Sequence, residues 1–95
     1  MVTTEKPILK PNTDDLKLFP NPTRDFITVE FSNTEPNKAA DIVILNAQGR
    51  LVLQKKNTQQ GLVQQGIDIG HLAAGTYFVK VKIRHDVRTE QFVKI

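Results

Sequence analysis

With no cysteine in the sequence, hydroxyl, imidazole and carboxylate side chains are the groups left to act as nucleophile, base or metal ligand. A Ser-His-acid triad would have to pair Ser32, the only serine, with His71 or His85. Nothing around Ser32 resembles the strand–turn–helix elbow that exposes a nucleophile. It reads instead as a loop hydroxyl bonded to its own backbone. His71 and His85 stand fourteen positions apart, outside tight zinc spacing and without a third ligand. Both read as exposed turn residues. Asn12, Asp14 and Asp15 imitate the start of a calcium loop, but the glycine at the sixth position and the distal glutamate are missing. Asp68 lies between Ile67 and Ile69 and would be a perturbed carboxylate if it faced inward. Strand alternation turns it outward and the isoleucines inward. No catalytic residue, cofactor site or metal site follows from these groups, and the chain reads as a non-enzyme.

Binding chemistry is equally sparse. Thirteen basic against ten acidic residues leave a net charge of +3, a mild excess. The basic residues are scattered, apart from a loose group of Lys80, Lys82, Arg84, Arg88 and Lys94. That argues against a nucleic-acid partner, which needs a concentrated basic face with interleaved aromatics. A sugar platform needs flat aromatic rings, and the chain has no Trp and one Tyr. The longest aliphatic stretch covers residues 42–45, so no transmembrane segment is expected. Met1-Val2-Thr3-Thr4-Glu5 lacks the basic start and apolar stretch of a secretory signal, which excludes little for a domain taken from a longer protein.

Ninety-five residues, 39% apolar and 24% charged, suit one domain with a single thin core. Residues 1–15 combine Lys6-Pro7, Lys10-Pro11 and a turn cluster with no hydrophobic period, the composition of a flexible linker. Residues 16–95 form the domain. Period-two patterning places strands at 16–19, 26–31, 40–45, 50–55, 62–69, 77–84 and 88–95. Pro20-Asn21-Pro22 stops the first, because proline cannot donate to a ladder. Ile27, Val29 and Phe31 share one face of the second, whereas residues 40–45 read as buried on both faces. Asn46-Ala47-Gln48-Gly49 is a hairpin turn in which Gly49 supplies positive φ. Phe26 and Phe78 break the outward pattern of their strands, and a second buried face is preferred over an exposed patch for both.

No eleven-residue window carries a helical period. The expectation is therefore an all-β, immunoglobulin-like antiparallel β-sandwich of about seven strands, with Ile27, Val29, Phe31, Ile44, Tyr77, Val79 and Val81 buried. Leu72-Ala73-Ala74-Gly75-Thr76-Tyr77 fits a tyrosine corner, a phenol bonding back to upstream backbone where the chain crosses between sheets.

Four pieces then stand in order: Leu18-Phe19-Pro20-Asn21-Pro22-Thr23, the 42–50 run ending Asn46-Ala47-Gln48-Gly49-Arg50, the 67–81 run through Leu72, Gly75 and Tyr77, and Thr89-Glu90-Gln91-Phe92-Val93-Lys94-Ile95. Together they resemble the C-terminal sorting domain, type A, of the type IX secretion system of Bacteroidetes, over about residues 16–95. The resemblance implies a non-catalytic signal at the end of a secreted or cell-surface protein that passes through the periplasm. It implies three partners: an outer-membrane type IX translocon, a shuttle protein, and a sortase-like transpeptidase that removes the domain from its cargo.

The residues carrying the resemblance are mostly structural: Pro20, Asn21, Pro22, Gly49, Leu72, Gly75 and Tyr77. The candidate recognition tail is Phe92, Val93, Lys94 and Ile95, grasped by strand addition or by seating of its apolar side chains in a groove. Read as a plain edge strand guarded by Lys94, this tail adds few ladder bonds, and its deletion is expected to harm export far more than folding. The alternative reading is a fibronectin type III-like structural or adhesive module, which shares the sandwich and the corner.

Overall fold

A computed structural model describes residues 16–95; the expectations placed on residues 1–15 lie outside the described residues. Seven strands follow one another: β1 (Lys17–Phe19), β2 (Phe26–Asn33), β3 (Ala40–Asn46), β4 (Leu51–Asn57), β5 (Gly61–Asp68), β6 (Gly75–Ile83) and β7 (Asp86–Lys94). They form two antiparallel sheets, β1-β2-β5 and β4-β3-β6-β7. The expected sandwich is present. Its fourth strand pairs with the third, because the turn joining them is too short to let the chain cross to the other sheet.

Alternation builds the core. Ile27, Val29 and Phe31 of β2 and Val63 and Ile67 of β5 face Ile42 and Ile44 of β3 and Tyr77, Val79, Val81 and Ile83 of β6. All seven residues expected to be buried are buried. β3 departs from expectation: Ile42 and Ile44 face inward while Asp41 and Val43 are half-buried on the outer face. Its run is therefore one-sided, as antiparallel sheets with a solvated face require. Ser32 belongs to β2 rather than to a loop, and its carbonyl accepts a bond from Arg88 Nη1 at 3.0 Å.

Two aromatics correct the sequence reading. Phe26 is 53% exposed, since among the described residues no element covers the outer face of the small sheet there. Phe78 is half-buried on the outer face of the large sheet. Phe92, by contrast, is wholly buried and stacks on Tyr77, ring centroids 5.5 Å apart. The end of β7 is thus part of the core, and deleting residues 92–95 would remove a large buried side chain. The expectation that this deletion harms export far more than folding therefore loses its premise that only a few ladder bonds are at stake.

Candidate functional site

The chemistry-bearing side chains stay apart. His71 and His85 are exposed, and Asp68 points outward with its Oδ1 accepting from the Gly70 amide at 2.9 Å. Among the described residues, no three His, Asp or Glu side chains gather as metal ligands would. What does converge is the set of motif segments. They come from four separate stretches of chain and meet at one pole of the sandwich.

The tyrosine corner forms as expected. Tyr77 Oη donates to the Ala73 carbonyl at 2.6 Å, while its ring enters the core. Leu72 packs half-buried against that core, and its amide donates to the Ile69 carbonyl at 3.0 Å. Gly75 opens β6 with φ +153, a conformation that side chains rarely adopt. The Asn46–Gly49 turn lies beside the corner, because Asn46 is the register partner of Tyr77. Its shape comes from Asn46, whose Oδ1 accepts from the amides of Gln48 and Arg50, both at 2.9 Å. Gly49 takes φ +84, as the sequence suggested.

Pro20-Asn21-Pro22-Thr23 does more than stop β1. The Asn21 carboxamide reaches the outer edge of β7, donating through Nδ2 to the Gln91 carbonyl at 3.1 Å and accepting the Val93 amide on Oδ1 at 3.0 Å. Thr23 continues the contact: its amide donates to Val93 O and its carbonyl accepts from the Ile95 amide, each at 2.9 Å. Thr23 and Lys94 form an isolated parallel bridge. The Thr23 hydroxyl turns back to the Phe26 carbonyl and is buried. Four hydrogen bonds therefore fill the edge of residues 91–95 that β6 leaves open. Sequence reasoning missed this pairing, since a partner some seventy residues away leaves no mark on local pattern.

Along β7, alternation sends Asp86, Arg88, Glu90, Phe92 and Lys94 inward. Near its start these inward side chains are not apolar. Charge stands there instead: Arg88 bonds Asp86 Oδ2 through Nε and Nη2 at 3.1 and 2.8 Å and crosses to Ser32 O. Lys94 is buried rather than guarding an exposed edge, its apolar stem lying inward. Val93 and Ile95 face solvent, 37% and 52% exposed. Pro20 and Pro22 are exposed as well.

Two antiparallel sheets, a tyrosine corner and motif segments gathered at one pole define an immunoglobulin-like β-sandwich module. The family model described as "Secretion system C-terminal sorting domain" matches residues 17–95, a span that includes every strand. The chain belongs to this family of type IX secretion signals, whose cargo proteins are secreted or displayed at the cell surface. No curated protein matches the chain.

Proposed function

We propose that this domain is a non-catalytic address for an attached cargo, joined through residues 1–15, carried from the periplasm by the type IX translocon and its shuttle protein. A sortase-like transpeptidase then separates the domain from the cargo. The observation carrying this reading is the family match over the whole sandwich. Val93 and Ile95, exposed on a strand whose neighbours Phe92 and Lys94 are buried, supply side chains a receptor groove can seat. The filled edge of residues 91–95 favours side-chain seating over strand addition, which would need those backbone groups free.

The test fuses the full 95-residue chain behind a periplasm-targeted reporter, in cells with and without the type IX machinery. Surface display restricted to cells with the machinery is the expected result. Replacing Val93 and Ile95 together by Ser should keep the circular dichroism spectrum and abolish display. Periplasmic retention of the unaltered fusion would refute the sorting reading and favour the structural-module alternative.

A further inference from the structure

We propose that Asn21 is the positioning residue of the address: its carboxamide acts as a surrogate neighbouring strand that holds residues 91–95 in register and so fixes Val93 and Ile95 outward. This rests on the reading of the tail given above, and adds to it a residue seventy positions away. The geometry is that of a sheet partner. On one edge of a strand, the carbonyl of a residue and the amide two residues later point the same way. Asn21 answers such a pair, Gln91 O and Val93 N, with one donor and one acceptor on a single short side chain. Thr23 then serves the next pair, Val93 O and Ile95 N, through its own backbone.

The chemistry at position 21 is narrow. Leucine has similar bulk and neither bond. Aspartate keeps an acceptor for the Val93 amide but sets a carboxylate against the Gln91 carbonyl. Serine is too short to span both groups. Strand ends paired on one side fray, because each residue there is held by few contacts. A second row of bonds converts this end of β7 from an edge into an interior position. The Thr23–Lys94 bridge also sets Pro22 beside Val93 on the outer face, so one alternation orders the whole exposed row. An address built this way is composite: the tail supplies the side chains and the Pro-Asn-Pro-Thr loop supplies their placement.

The experiment compares Asn21→Leu, Asn21→Asp and the core variant Val63→Ala with the unaltered chain, all 95 residues long, in the reporter assay. Amide exchange at Val93 and thermal unfolding are measured on the same proteins. Losing two exposed hydrogen bonds should raise the open fraction of the tail about three- to fivefold, read as faster exchange at Val93 with little change at Val29. Asn21→Leu should then lower surface display by a similar factor, with Asn21→Asp intermediate. Val63→Ala removes apolar bulk from the far end of the core, so it should lower the melting temperature more than Asn21→Leu while display stays near its unaltered level. Unchanged Val93 exchange in Asn21→Leu would overturn the clamp. Released exchange with normal display would overturn its link to the address. Display that tracks melting temperature across the variants would reduce Asn21 to a stabilising contact and overturn the proposal. Failure of the unaltered chain to reach the surface would instead remove the sorting reading beneath it, whatever the exchange data show.

Discussion

Tyr77 and Asn21 fasten the same pole of the sandwich over very different chain distances. The phenol of Tyr77 bonds a carbonyl four residues upstream, whereas the Asn21 carboxamide reaches backbone 70 and 72 residues away. Tyr77 is buried and stacked on Phe92, whereas Asn21 is exposed. The difference separates two kinds of contribution. A buried contact near in sequence adds apolar area and a desolvated hydrogen bond, so it acts mainly on stability. An exposed contact between distant segments competes with water for its bonds and adds little stability, yet it decides where a strand end lies. One pole thus joins a corner that holds the fold with a clamp that orders what the fold presents.

Breaking the shared element, Phe92, should have the largest effect. Phe92→Ala leaves a cavity where the ring stacks on Tyr77 and should cost about 3–5 kcal/mol in denaturant unfolding. A loss below about 1 kcal/mol would show that the ring is not a core element. Tyr77→Phe keeps that stacking and removes only the bond to Ala73, so chemical denaturation should show a loss of about 1–2 kcal/mol. If Tyr77→Phe proved as harmful as Phe92→Ala, the hydroxyl rather than the ring would be the stabilising part of the corner. Asn21→Leu should cost below about 1 kcal/mol, its bonds being exposed, while releasing the Val93 amide. A cost equal to that of Tyr77→Phe would erase the division between holding and ordering. Smallest of all, Lys55→Gln should leave stability within about 0.5 kcal/mol, because that side chain is exposed, whereas Lys56→Gln should cost more by removing the cation 3.1 Å from the buried Oδ1 of Asp41.

How much of this was legible depends on the range of each interaction. Strand positions came from period-two patterning, and the ends shifted by one to two residues, as at β7, which begins at Asp86 rather than residue 88. The corner was legible because leucine, glycine and tyrosine act within six consecutive residues. Gly49 was legible for the same reason. Asn21 was read as part of a proline-bounded stop, since nothing near it names a partner. Phe26 and Phe92 show the remaining gap: both are phenylalanines in β-rich runs, and one is exposed while the other is wholly buried.

The sequence by itself determined the all-β class, the seven strands, the inward set led by Ile27, Val29 and Phe31, the corner at Tyr77 and the resemblance to a sorting domain. These follow from alternation and turn chemistry, which operate over a few residues, and from motifs in fixed order along the chain. Only the tertiary structure decided that four motif segments share one pole, that Phe92 belongs to the core, that charge rather than apolar bulk fills the start of β7, and that Asn21 seals the edge beside Val93. Those outcomes depend on which sheet covers which face and which strand lacks a neighbour, and both are set by pairings between residues far apart in the chain.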